Sequence, residues 1–290
     1  MLEISFVFTL LPSQYYQRKV VERHLLRERD ARSSIGPSKW KQSDLTDEQE
    51  ATVDNAFSKR GVVSTITGAE VNHSDLAKLR PRQWLNDESI NFHGLLVLNR
   101  SKQAFEEREK ALKAGKKPDV QWRAFWDIHF FNSFFYAKLE KAGYSAVKRW
   151  TRKVHLFSKD IVLFPVNLGN AHWVTGAINF RLKRIEYYDS MHTSNRSFFL
   201  VMREYLEEES LDKRKTEMDW TGWQDYTPTD FPYQSNGYDC GVFTISTIEQ
   251  LTRDGAAEDD EDYAWNFTER NMPYLRRRTV YEIVKKQLLE

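Results

Sequence analysis

Cys240 is the one thiol in a chain of 290 residues. It stands in Asn236-Gly237-Tyr238-Asp239-Cys240-Gly241, directly before Val242, Ile245, Ile248 and Leu251, whose spacing predicts a helix over Cys240–Arg253. Free amides and the positive dipole end at a helix N-terminus favour a thiolate, so a cysteine in that position is a candidate nucleophile. The competing reading is a small buried hydrophobe, the usual fate of a lone cysteine. Gly237 and Gly241 suggest tight backbone turns or the close approach of a substrate chain.

A thiol nucleophile needs a histidine base and a group that orients it, brought together by the fold. Of seven histidines, His172 begins a predicted strand, and the next predicted strand ends in Tyr187-Tyr188-Asp189. A hairpin turn through Asn179–Leu182 would pair His172 directly with Asp189 on one face, where the carboxylate fixes the imidazole tautomer. A slip of one residue would separate them. His192 is a weaker competitor because Ser190 and Met191 suggest a loop. Gln234, shortly before Cys240, offers a side-chain amide that could join the Cys240 N–H in stabilising an oxyanion. Trp84, at a breaker-rich helix entrance, and Trp173, beside His172, are flat rings able to confine an extended peptide so narrow that only glycines fit. Most tryptophans, however, are core residues.

The elements that must position these groups follow from periodicity and capping. Thr46 and Gln49 have capping-box spacing ahead of a helix that ends near Gly61. Val62–Ile66 reads as a strand, and Asn72–Leu79 and Asp87–Leu98 as helices, the second with Asp87 as N-cap. Asn132–Leu139 reads as a buried helix, and Ile161–Asn167, His172–Phe180 and Ile185–Asp189 as three strands. Asp254–Asp262 is an acidic surface loop, and a last helix runs from Met272 or Pro273 toward Leu289. Residues 1–44 form a charged, breaker-rich tail or linker, residues 45–290 one domain, and the Lys/Glu/Ala-rich stretch 101–122 a solvated helix and loop. No internal repeat is visible.

Composition excludes several classes. With 29% charged and 40% apolar residues the chain can bury a core and is a soluble globular protein, not a disordered one. One cysteine rules out an intrachain disulfide or a thiolate metal cluster and points to a reducing compartment. The 43 basic and 42 acidic side chains give a net charge of +1, which argues against nucleic-acid coating. Arg276-Arg277-Arg278 reads as a solvated helix face. The longest apolar run, Ile4–Leu11, is far short of a membrane span, and with Glu3 before it and Pro12 after it does not read as a signal peptide.

Several motifs in order resemble the catalytic domain of the SUMO-specific (sentrin-specific) ubiquitin-like protein proteases. They are Arg82-Gln83-Trp84-Leu85-Asn86-Asp87, Phe131-Asn132-Ser133-Phe134-Phe135-Tyr136, Val147-Lys148-Arg149-Trp150-Thr151, His172-Trp173, Tyr187-Tyr188-Asp189-Ser190-Met191, Gln234 to Gly241, and Asn271-Met272-Pro273-Tyr274-Leu275-Arg276. The likeness runs from about Ser64 to Glu290. It implies an α+β papain-like cysteine protease fold with a central mixed β-sheet flanked by helices and the order His, Asp, Cys. It further implies catalytic roles for His172, Asp189 and Cys240, with Gln234 at the oxyanion. Trp84 and Trp173 would cover the modifier's Gly-Gly terminus, Asp87 would meet a basic residue of the modifier, and Phe131, Arg149 and Trp150 fall in segments lining the modifier-binding surface. The implied partners are SUMO and SUMO conjugates, for a monomeric enzyme with no cofactor, metal, nucleic acid or membrane, in the nucleus, at its envelope or in the cytoplasm. The alternatives are a protease for a NEDD8-like modifier and a non-catalytic module that binds a ubiquitin-like protein.

Overall fold

The computed structural model describes residues 44–116, 125–253 and 265–289. The tail and the Asp254–Asp262 loop therefore fall outside the described residues, except for Asp44. At the centre lies a five-stranded sheet in the order β3 (Ile128–Phe130), β4 (Ile161–Leu168), β5 (His172–Asn179), β6 (Arg184–Tyr188) and β7 (Gln224–Tyr226). β4, β5 and β6 form the expected antiparallel meander, while β3 and β7 add parallel edges, so the sheet is mixed. Three residues each, these edges are too short for alternation to reveal them. A two-stranded ribbon, β1 (Val62–Ile66) and β2 (Ala69–Asn72), stands apart from this sheet.

Both faces of the sheet are covered, which is why β4 is apolar without alternation. Val162, Phe164 and Val166 point to an aromatic-rich cluster under α4 (Phe134–Ala142) and α5 (Arg196–Arg214). Ile161 and Leu163 point the other way, to a cluster shared with α1 (Asp47–Ser58), α3 (Asp87–Lys113), α6 (Cys240–Gln250) and α7 (Met272–Lys285). Every residue of α6 is buried, its polar side chains Thr247 and Glu249 bonded within the interior to the Phe243 carbonyl and to Arg100. Gly176 on β5 keeps the aromatic side tight, since a Cβ there would lie 2.4 Å from Phe164 Cε2.

Several boundaries differ from the sequence expectation for identifiable reasons. Asn86, not Asp87, caps α3, its side chain accepting from the Ser89 amide, and Asp87 is the first helical residue. α3 continues past Leu98 to Lys113, with Ser101 and Ala104 buried, because no breaker intervenes before Gly115. So 101–113 is partly core, while 117–122 lies outside the described residues. Asn72 ends β2 and caps a single helical turn, α2 (His73–Leu76), which tightens into a 3-10 turn. α5 was not anticipated, although Phe198, Met202, Tyr205, Leu206 and Glu209 bury one stripe of it. Arg276-Arg277-Arg278 is no solvated face. Arg276 and Arg278 are buried, and Arg277 pairs with Glu50 and Asp54 of α1, which ties α7 to the first helix.

The β5–β6 hairpin turns through Phe180–Lys183, one residue later than expected. Observed partners are Asn179 with Arg184 and Thr175 with Tyr188. Asn179 stays in the strand because its side chain accepts from the Leu182 amide and donates to Glu186, and Lys183 closes the turn at φ 51°. The register moves by two residues, an even number, so side-chain parity survives. Continued past Tyr188, that register places Asp189 diagonal to His172, not directly across from it.

Candidate active site

Three chain segments meet where β5 starts, β6 ends and α6 begins. His172 is the first residue of β5, Asp189 follows the last residue of β6, and Cys240 is the first residue of α6. α6 is bound to β5 by the Thr175 hydroxyl, which donates to the Thr244 carbonyl at 3.2 Å. His172 Nε2 donates to Asp189 Oδ1 at 2.6 Å. The carboxylate also accepts from the Met191 amide at 2.8 Å and from the amide and hydroxyl of Thr193. Burial alone would raise the Asp189 pKa, but the bonds from His172, Thr193 and Met191 outweigh it and hold the group below the ordinary carboxylate range.

With Nε2 committed to Asp189, the other ring nitrogen is left for the thiol. His172 Nδ1 is buried and has no hydrogen-bond partner. Burial disfavours the imidazolium, yet the bond to Asp189 and the influence of Asp189 and Cys240 together prevail and lift the His172 pKa to about 9. Cys240 is 2% exposed, as a buried hydrophobe would be. Its place as the first residue of α6, within electrostatic reach of a histidine oriented by Asp189, supports the nucleophile reading. His192 is not the base. Its Nε2 donates to the Phe231 carbonyl at 2.8 Å and its ring meets Tyr233 edge-on.

Gln234 is buried and joined to the residue after Asp189. Its amide donates to the Ser190 carbonyl, and its Oε1 accepts from the Ser190 hydroxyl at 2.9 Å. Nε2 donates to the Asn236 carbonyl at 2.6 Å, which fixes the amide's orientation and leaves one Nε2 hydrogen. The first amides of α6 have no acceptor within the helix. Side-chain amide and helix N-terminus together can stabilise an oxyanion.

Gly241 serves a close approach, but of the protein's own chain. A Cβ there would lie 2.7 Å from Leu85 Cβ. Leu85 in turn accepts, through its carbonyl, the Trp173 indole N–H at 3.0 Å. Trp173 is thus buried and pins the segment carrying Trp84, which is itself 47% exposed. Asp87 is half-buried at the start of α3, and Arg149 is exposed beside half-buried Trp150. Phe131 is 3% exposed and stacks on Phe135 with centroids 4.0 Å apart. It offers a partner almost no surface and instead backs Trp150, 6.1 Å away. The reading from sequence missed Ser190, Thr193 and Asn236 as supports, since short polar loop residues carry no periodic signal. Among the described residues no group of three or more His, Cys, Asp or Glu is arranged to hold a metal, and no helix is long and apolar enough to cross a membrane.

The model of the Ulp1 protease family, C-terminal catalytic domain, matches residues 126–288, a span containing His172, Asp189, Gln234 and Cys240. The chain belongs to the Ulp1 protease family. A sentrin-specific protease of Caenorhabditis elegans is 41% identical over 248 residues, covering 84% of this chain and 32% of that protein. Human sentrin-specific protease 2 is 32% identical over 251 residues, covering 85% and 38%. This chain thus spans roughly a third of the length of these relatives. The X-ray structure of the C-terminal Ulp1 protease domain in complex with Smt3, the yeast ortholog of SUMO, superposes with a TM-score of 0.64 at 25% identity, covering 87% of this chain and 98% of that one. The α+β papain-like architecture of the Ulp1 family accounts for the mixed central sheet and the helices that flank it. Trp84 and Asp87 lie before the span matched by the family model.

Proposed function

We propose that this chain is a cysteine peptidase that hydrolyses the bond after the C-terminal Gly-Gly of a SUMO modifier, releasing it from lysines or from a precursor extension. The observation that carries the chemistry is the 2.6 Å His172–Asp189 pair, which leaves His172 Nδ1 for Cys240. The substrate class is supported by the sentrin-specific relatives and by the yeast domain bound to its SUMO ortholog. The Cys240 thiolate attacks the terminal glycine carbonyl, a C–S bond forms, and the oxyanion is met by Gln234 Nε2 and the Cys240 amide. The C–N bond breaks as the His172 imidazolium protonates the departing amine. Water then adds to the thioester with His172 as base, releasing the modifier's carboxylate and restoring the thiol. Trp84 and Trp173 would confine the Gly-Gly strand, and Asp87, Arg149 and Trp150 would contact the modifier's folded body. The enzyme would act as a monomer in the nucleus, at its envelope or in the cytoplasm, compartments that keep a working thiol reduced.

Cys240→Ser should abolish turnover of a SUMO C-terminal amide substrate while modifier binding persists. Continued cleavage by that variant would sink the assignment. Wild-type protein should label at Cys240 with SUMO bearing a C-terminal electrophile, and preferential labelling by a NEDD8-derived probe would reassign the modifier.

A further inference from the structure

Arg276 sits on α7, 3% exposed, and every N–H of its guanidinium is used. Nε and Nη2 donate to Asp239 Oδ1 at 2.9 and 2.7 Å. Nη2 also reaches the carbonyls of Tyr238 and Gln83, at 2.9 and 2.8 Å. Nη1 takes the carbonyls of Lys78 and Arg80, at 3.2 and 3.1 Å. One side chain therefore grips two segments far apart in sequence, the one that delivers Trp84 and the one that delivers Cys240.

From each segment a line of bonds reaches a neighbour of the triad. On the nucleophile side, Asp239 Oδ2 accepts from Asn236 Nδ2 at 2.9 Å, the Asn236 carbonyl holds Gln234 Nε2, and Gln234 Oε1 accepts from Ser190, next to Asp189. On the other side, Gln83 leads through Trp84 to Leu85, whose carbonyl holds the indole of Trp173, next to His172. The two lines enclose Cys240. Oxyanion donor, nucleophile and exposed tryptophan are thereby held in register by a residue outside the triad.

We infer that Arg276 is a positioning residue for this reaction, fixing the Cys240 and Gln234 donors through Asp239 and the Trp84 segment through Gln83. The inference rests on the peptidase reading above. A lysine keeps the charge but supplies three donors on a flexible stem in place of a planar five-donor fork, so Arg276→Lys separates charge from geometry. Arg278 is the matched control. It lies on the same helix, equally buried, but donates to Glu282 and the Leu289 carbonyl, away from the triad.

The experiment compares wild type, Arg276→Lys and Arg278→Lys in three readouts: kcat and KM on a SUMO C-terminal amide, the pH dependence of Cys240 alkylation by iodoacetamide, and thermal melting. Both variants should melt lower. Arg276→Lys should lose kcat by on the order of tenfold to a hundredfold per folded molecule, with KM nearly unchanged, as expected when reacting groups are displaced by a fraction of an ångström. Its alkylation profile should shift, whereas Arg278→Lys should retain kcat and the wild-type profile. Equal kcat losses in the two variants, or a wild-type kcat per folded Arg276→Lys molecule, would overturn the inference. Should Arg276→Lys fail to fold, Asp239→Asn, which weakens the acceptor and spares the carbonyl contacts, must show the same kcat loss, and an unchanged kcat there overturns it too. A wild-type protein that cleaves no SUMO substrate would refute the peptidase reading, while the alkylation comparison would still decide the role of Arg276.

Discussion

The two faces of the central sheet are stabilised by different means. Under α4 and α5 the contacts are rings: Phe135 meets Phe131, Phe164 and Tyr205 at centroid distances of 4.0 to 5.2 Å, and Phe198 lies against Tyr136 and Tyr187. That face buries the carboxylate of Glu209 against the Tyr144 hydroxyl, whereas under α3, α6 and α7 the core buries charge in pairs. Arg100 on α3 pairs with Glu249 on α6 at 2.5 Å, His93 on α3 with Glu282 on α7 at 3.1 Å, and Arg276 with Asp239 at 2.7 Å. Each of these pairs joins separate elements, and together they lie around the helix that carries Cys240. Packed rings need only suitable volume and shape, whereas a buried ion pair demands one partner in one place. The charged face is therefore the one that holds Cys240 in position.

The largest effect that can test this division falls at the seam, where both faces end on His172 and Asp189. Asp189→Asn keeps the side chain's shape but only one acceptor oxygen, enough for the Met191 or the Thr193 donors and not both, and an amide in place of the carboxylate can present the wrong tautomer to the imidazole. Turnover should fall on the order of 10⁴-fold, as it does when the orienting carboxylate of a Ser-His-Asp triad is so replaced, while the unfolding midpoint stays close to wild type. A loss below about tenfold would remove Asp189 from the triad.

Next in size is a contrast between the faces themselves. Glu249→Ala leaves Arg100 buried without its carboxylate, which should cost about 3–5 kcal/mol in denaturant unfolding. Phe198→Leu on the ring face keeps an apolar side chain of similar size and should cost about 1–2 kcal/mol. If Arg100→Met combined with Glu249→Leu recovers the stability but lowers kcat, the pair's contribution is to position and not to net stability. Recovery of both would show that the charged face has no special role.

The same division explains what could be read from the chain and what could not. β4, β5 and β6, the helix start at Cys240 and the contact between His172 and Asp189 were readable because buried strands and a helix start leave periodic or positional marks, and because the expected and observed registers differ by an even number of residues. The roles of Arg276 and Arg278 were not readable. A run of three arginines looks alike whether it faces water or spans a core, and their partners lie far away in sequence at Asp239 and at the Gln83 carbonyl, or four residues on at Glu282. Phe131 illustrates the converse, since family likeness marks its segment but only packing shows that the ring itself is core. α5 carries an apolar stripe, Phe198, Met202, Tyr205 and Leu206, at helical spacing, a signal present in the sequence.

The smallest effect concerns one proton at the seam. The His172 pKa stands at about 9, raised above the ordinary imidazole value against the opposing effect of burial. A group whose folded pKa is raised stabilises the fold fully below its unfolded value near 6.5 and loses that contribution as pH rises through about 9. In the proposed reaction the imidazolium is also the acid that protonates the departing amine, so kcat/KM should fall along an alkaline limb near pH 9. Asp189 is one of the groups that raise the pKa, so Asp189→Asn should move the limb of its residual activity to lower pH. Cys240→Ala removes the sulfur alone, and NMR titration of His172 in that variant should give a value below that of wild type while Asp189 still supports it. Because the carboxylate belongs to the sheet and the sulfur to α6, the two variants measure separately how much each side contributes to holding the proton. An unmoved limb in Asp189→Asn would mean that the sheet side does not tune the base at all.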